Sequence, residues 1–202
     1  MSAAGPLTLA DIADLRAYER QRDEFRQRII ALKKRRRVSV GPVVTLLFEN
    51  RDTIRFQIQE MARAERMLTD EAIQIELDTY NPLIPAAGEL SATLFVELTS
   101  RAEMEHWLPR LVGVERSVEL LVGEGPRASV RHAEVDAAHA AQLTRDEITA
   151  SVHYVRFALP SAEIERFAAG PVVLAVNHPE YVHGAPLGDA TRAELLRDLR
   201  GE

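Results

Sequence analysis

The chain has 202 residues, 46% of them hydrophobic and 28% charged, and a formal net charge of −6. Such a composition buries an ordinary core under an ordinary surface, and the acidic total argues against nucleic acid as the main partner. With no cysteine, the chain cannot form disulfides, thiolate nucleophiles, zinc–thiolate sites or an iron–sulfur cluster of its own.

The elements follow in chain order. Thr8 is a candidate N-cap with Asp11 as capping-box partner, and Leu9, Ile12 and Leu15 follow at helical spacing. Asp23 restarts or continues that helix. Phe25, Ile29 and Leu32 recur at i, i+4, i+7, and the helix is expected to fray into Lys33–Arg37. Val38–Val40 and Val43–Phe48 read as extended around a bend at Gly41-Pro42. The second run is apolar throughout, as in a strand covered on both faces. Asn50 or Asp52 caps a helix over roughly 52–67, and Thr69 caps a shorter one that stops at Asn81-Pro82.

Ala86-Ala87-Gly88 is the best candidate boundary within what reads as one domain over 1–202. It divides a helix-rich, arginine-rich part (1–85) from a strand-rich, acidic part (86–202). Leu90–Leu98 is a strand and Ser100–Leu111 a helix. Arg116–Val122 and Arg127–Val130 form a hairpin around Gly123–Pro126. Ala133–Ala141 is an alanine-rich surface segment. Ser151–Leu159 is a strand, Pro160–Ala169 a helix and Val172–Val176 the last strand. Asn177–Gly188 reads as a loop rich in proline and glycine, followed by a C-terminal helix. The whole predicts an α+β fold, with N-terminal helices packed on a mostly antiparallel sheet of about five to seven strands. No apolar run is long enough to span a membrane, so the cytoplasm is the expected location.

Charge is unevenly placed. Residues 1–85 hold 14 basic and 13 acidic side chains, and residues 86–202 hold 11 and 18. Arg16–Arg37 alone carries ten basic residues against three acidic. This bipolar chain favours oriented docking or self-association. Arg51, Arg55, Gln59, Arg63 and Arg66 share one helix face, where guanidinium groups could clamp a carboxylate or phosphate. Glu49, Glu60 and Glu65 lie close enough in sequence to neutralise that row, and Glu60 could otherwise act as an acid or base. Tyr80 and Asn81, just before a rigid Pro-rich exit, could line a pocket. The candidate ligand-binding set is therefore Arg51, Arg55, Arg63, Glu60, Glu49, Tyr80 and Asn81. Lys33–Arg37 could touch a nucleic-acid backbone but lacks interleaved aromatic residues.

Glu103 with His106, and Glu180 with His183, match the Glu-x-x-His spacing of di-iron bundles. His183 lies between Pro179 and Pro186, and strands intervene throughout, so no metal and no cofactor is expected. A looser set of His178, Glu180 and His183 in one loop reads as ordinary polar loop chemistry. Catalytic residues are not identified: neither Gly-x-Ser-x-Gly nor a complete phosphate loop occurs.

The segments KKRRRVSVGPVVTLLFENRDTIRFQIQEMARAERM, IQIELDTYNPLIP, SVHYVRFAL and NHPEY resemble an uncharacterised bacterial family, domain of unknown function 3501. The resemblance runs from about Leu7 to the C-terminal helix, with Asn50 standing where relatives are expected to carry Asp. It implies no mechanism. It does imply a place beside rubrerythrin-like di-iron proteins and iron–sulfur oxidoreductases, near peroxide defence or electron transfer. The expected function is thus an accessory or interaction protein for such a partner. The alternatives are an enzyme or sensor for a small anion on the arginine face, and nucleic-acid binding through Lys33–Arg37.

Overall fold

A computed structural model describes residues 5–135 and 148–202. Most of the alanine-rich segment, with His139, lies outside these residues. Six helices and eight strands are described, and all the strand ladders are antiparallel.

The first helix begins later than its predicted cap. Thr8 and Asp11 do form a capping box, but on a single 3₁₀ turn at Leu9–Asp11. Asp14 caps α1 (Leu15–Arg36), its carboxylate accepting from the Ala17 amide at 2.9 Å. The helix runs through Asp23 without a break and does not fray: Arg37 passes straight into β1 (Arg37–Val40). A turn at Gly41 leads to β2 (Val44–Glu49), buried along its whole length. Asn50 caps α2 (Arg51–Glu65), its side chain accepting from the Thr53 amide, a task aspartate does equally well. Thr69 caps α3 (Asp70–Tyr80).

The later elements are β3 (Glu89–Val96), α4 (Arg101–Trp107), β4 (Val118–Val122), β5 (Ser129–His132), β6 (Val152–Ala158) and α5 (Ser161–Ala169). They are followed by β7 (Val172–His178), β8 (Tyr181–Pro186) and α6 (Asp189–Arg200). The strand β8 replaces the loop expected over Asn177–Gly188. It forms an edge, where a terminal proline costs no ladder bond, and Tyr181 anchors it in the core.

The strands divide between two sheets, ordered β1-β2-β3-β6 and β5-β4-β7-β8, rather than lying in one sheet of five to seven. Val44, Leu46 and Phe48 of the first sheet pack with Leu120, Leu174 and Val176 of the second in one apolar cluster, which Phe167, Leu195 and Leu199 join from α5 and α6. Glu134 and Arg156 exchange backbone hydrogen bonds of 2.8 and 2.9 Å, linking the end of β5 to β6. On the opposite side the Tyr181 hydroxyl donates to the Val40 carbonyl at 2.6 Å and accepts from the amides of Val43 and Val44. Strands β1 and β2, which precede Gly88, therefore share a sheet and a core with strands that follow it.

The outer face of the first sheet lies under the N-terminal helices, which explains the unbroken apolar reading of β2. Tyr18, Phe25 and Ile29 of α1 form a cluster with Phe56 of α2. Leu7, Ile54, Ile58, Leu77 and Leu83 form another. These two clusters set α1 against α2 and so build the surface described next.

Candidate functional site

The arginine row of α2 faces α1, and each member meets a different fate. Arg51 donates to Asp11 at 2.7 Å and to the Gly5 carbonyl at 3.3 Å. Its guanidinium holds the Asp11 carboxyl below the usual carboxylate range. The Arg55 guanidinium lies 5.2 Å from the Phe25 ring centroid, and its buried Nε has no hydrogen-bond partner. Gln59 pairs with both backbone groups of Ala13. Arg63 makes a two-pronged contact with Glu19, at 2.9 and 3.2 Å.

Glu60 is committed as well. It accepts two bonds of 2.8 Å from Arg22 and one of 2.7 Å from the Tyr18 hydroxyl. Arg22 holds Glu60 below its ordinary value, while burial and then the Glu60 carboxylate push the Tyr18 phenol far up. A carboxylate so stabilised is poorly matched to proton transfer near neutral pH.

The seven candidates do not converge. Arg51 and Asn81 line one cavity of about 500 Å³ at the start of α2, with Asn50, Asp52 and Asp198. Arg51 is already neutralised there by Asp11. Asn81 is the C-cap residue of α3, its backbone amide donating to the Leu77 carbonyl. Its side chain binds the backbone of Leu7 at 2.7 and 2.9 Å, because the chain turns on into a 3₁₀ segment at Asn81–Leu83. Glu49 is buried, accepting from the hydroxyls of Thr53 at 2.5 Å and Thr93 at 2.7 Å. Glu49 and Tyr80 both lie near Tyr154, whose phenol is pushed up by burial first, then by Tyr80 and Glu49.

Arg63 opens onto a different surface. A groove of about 870 Å³ runs between the start of α1 and the end of α2, with Arg16, Arg20, Arg63 and Arg66 on its walls beside Glu19. Arg16 and Arg20 are one helical turn apart on α1. Arg66 ends α2 in the left-handed region (φ 54°), its amide bonded to the carbonyls of Ala62 and Arg63. Glu19 is engaged by Arg63, and its carboxyl is lowered by that contact. Arg16, Arg20 and Arg66 make no ion pair among the described residues. The groove thus presents four guanidinium groups against one carboxylate, at the carbonyl end of α2, which itself favours cations. Arg66 closes the predicted row, whereas Arg16 and Arg20 were legible only as part of the Arg16–Arg37 charge excess.

The cationic run Lys33–Arg37 is mostly spent inside the molecule. The Lys33 ammonium lies 5.6 Å from the Phe56 ring centroid. Arg35 donates to Glu194 at 3.1 Å, and Arg37 pairs with Glu97. Arg36 is fully buried against Glu194 and Asp198. Of the five, Lys34 alone makes neither an ion pair nor a contact with an aromatic ring among the described residues.

The histidines also take structural places. Glu103 caps its own helix through Thr99 and Ser100, and the His106 ring lies 2.9 Å from an Arg110 nitrogen. His178 bonds the Val112 carbonyl, and His183 packs on the Tyr181 ring at 4.4 Å. His153 is buried: Nε2 lies 2.8 Å from Thr149 Oγ1 and 2.9 Å from the Ala150 carbonyl, while Nδ1 stands 3.9 Å from Glu115 Oε2.

Burial holds the His153 imidazole below 6.5, against the opposing pull of Glu115. A base with a depressed folded pKa binds fewer protons folded than unfolded, so its contribution is complete above 6.5 and is lost as pH falls through that value. Denaturant unfolding between pH 7 and 5 should therefore show stability falling, by at most about 1.4 kcal/mol per pH unit from this one proton. His153→Gln should flatten that part of the slope; an unchanged slope would remove His153 as its source.

A family model described as protein of unknown function (DUF3501) matches residues 6–199. A crystal structure of a novel protein of unknown function from Burkholderia pseudomallei K96243 is similar, with 38% sequence identity and a TM-score of 0.85. The match covers 96% of this chain and 98% of that one. The comparison with curated proteins gives no match. Among the described residues, no helix is long and apolar enough to cross a membrane.

Proposed function

The chain belongs to the DUF3501 family of proteins of unknown function, and on its own geometry we propose an accessory protein that docks an acidic partner on the arginine groove between α1 and α2. The carrying observation is that Arg16, Arg20 and Arg66 surround the groove without an ion pair among the described residues, while neighbouring arginines are matched one by one to Asp11, Glu19 and Glu60. Unpaired guanidinium groups on an open surface attract carboxylates and steer a negatively charged partner during encounter.

The family resemblance supplies the class of partner: a rubrerythrin-like di-iron protein or an iron–sulfur oxidoreductase, met in the cytoplasm. An iron–sulfur cluster would be carried by the partner, since this chain has no cysteine. A small anion is the competing occupant. The commitment of Glu60 to Arg22 and Tyr18 weighs against an acid–base enzyme at this face, and the openness of the groove suits a polypeptide better than a small ligand.

The test is binding of a purified partner of each kind by the wild-type chain and by Arg16→Glu, Arg20→Glu, Arg66→Glu. All three positions are exposed, so the fold should tolerate the changes. Affinity should fall by roughly tenfold or more, and its salt dependence should weaken. Binding that ignores all three changes would place the partner elsewhere. Stabilisation against heat by phosphate alone, with no affinity for either protein, would favour the small-anion reading.

A further inference from the structure

The arginine groove continues into an apolar cleft. A second cavity of about 160 Å³ shares Leu15 and Leu68 with the first, and its walls include Leu9, Ile12, Met67 and Ile73. Asp14, Thr69 and Asp70 supply its polar wall groups: Asp14 and Thr69 accept from the amides of Ala17 and Ala72 as helix caps, and the exposed Asp70 opens the first turn of α3. A space of about this size is large enough for one benzene-sized group. Leu68, on the rim common to both cavities, is 82% exposed, the most exposed of the large apolar side chains among the described residues.

Charge and apolar surface are thus arranged in series. One end of the channel is lined by arginines, the other mainly by leucine, isoleucine and methionine with Asp14, Thr69 and Asp70 beside them, and Leu68 lies between the two ends. A wholly polar anion would use only the first end and leave Leu68 in water. A segment carrying both kinds of group uses the entire channel.

We propose that the partner presents a short segment with one large apolar anchor beside a run of acidic side chains. The anchor fills the cleft between Ile12 and Ile73 and covers Leu68, while the acidic run lies against Arg16, Arg20 and Arg66. This rests on the docking reading above and specifies which polypeptide that groove selects. Charge complementarity fixes the direction in which the segment lies: acidic groups toward the end of α2, anchor toward the start of α3.

The test uses the full chain and three synthetic peptides of equal length. One carries a leucine beside a run of glutamates, one has that leucine replaced by serine, and one is polyglutamate. Calorimetric titration should show the leucine peptide binding about tenfold more tightly than the other two. Leu68→Ser should abolish that preference while leaving the weaker glutamate binding in place. Arg16→Glu with Arg20→Glu should weaken all three peptides together. Equal binding of the three by the wild-type chain would overturn the anchor and leave the docking reading standing. No binding of any peptide by a folded chain would overturn both. Sedimentation of the chain alone supplies the last arm: a dimer broken by Leu68→Ser would make a second copy the occupant and overturn the proposal.

Discussion

Arg36→Met should destabilise the protein by about 3–5 kcal/mol, read from denaturant unfolding. All five N–H donors of this guanidinium are engaged. Nε donates to the Phe48 carbonyl at 2.9 Å, and Nη2 to the Glu49 carbonyl at 3.1 Å and to Asp198. Nη1 donates to Glu194 at 3.2 Å and to Asp198 at 3.4 Å. The side chain therefore ties the end of β2 to α6 from the last turn of α1. Methionine removes a donor from each of two carbonyls and leaves Asp198 without its cation. Glu194 keeps Arg35 and Arg197, so the loss centres on Asp198. Burial already raises the Asp198 carboxyl, and removing Arg36 should raise it further. The double change Arg36→Met with Asp198→Leu should recover much of the loss, because the cost lies in the buried unpaired charge rather than in the missing attraction. No recovery would mean that the two backbone carbonyls carry the effect.

Gly41→Ala should cost about 2–4 kcal/mol, combining backbone strain with a steric clash. Gly41 sits at φ 74°, where residues with a Cβ are strained. A Cβ there would lie 2.5 Å from the Tyr181 hydroxyl and 2.6 Å from His183 Cγ. It would push on the hydroxyl that satisfies Val40, Val43 and Val44, which is where β8 of one sheet meets the β1–β2 turn of the other. Tyr181→Phe removes that hydroxyl and should cost about 1–3 kcal/mol. The two changes should be less than additive, since phenylalanine also removes the atom nearest the new methyl group. Strict additivity would show that the strain at Gly41 is confined to its own backbone.

Both effects show how far a linear reading reaches. The α+β class, the capped starts of α2, α3 and α4, and the doubly covered β2 follow from local patterns that the fold obeys. The stripe Phe25, Ile29, Leu32 was visible, and one more step of four reaches Arg36. Five adjacent cations read as a fraying helix end, which gives no sign that Arg36 is buried. The strand β8 was hidden by Pro179, Gly184 and Pro186, residues that punctuate loops but are tolerated on a sheet edge.

The site was less legible than the fold for a related reason. Spacing places Arg51, Arg55 and Arg63 on one face of α2, yet the partners that decide their roles lie far away in the chain. Glu19 is 44 residues from Arg63, and Arg22 is 38 from Glu60. Only the packing of α1 on α2 shows which arginines are matched within the protein and which are left over.

Amide hydrogen exchange, with and without the leucine–glutamate peptide, tests most directly whether that leftover charge is a docking surface. Protection confined to the start of α1, the end of α2 and the turn into α3 is the expected result. Protection centred on β8 or α6, with residues 9–20 and 62–73 unchanged, would contradict it.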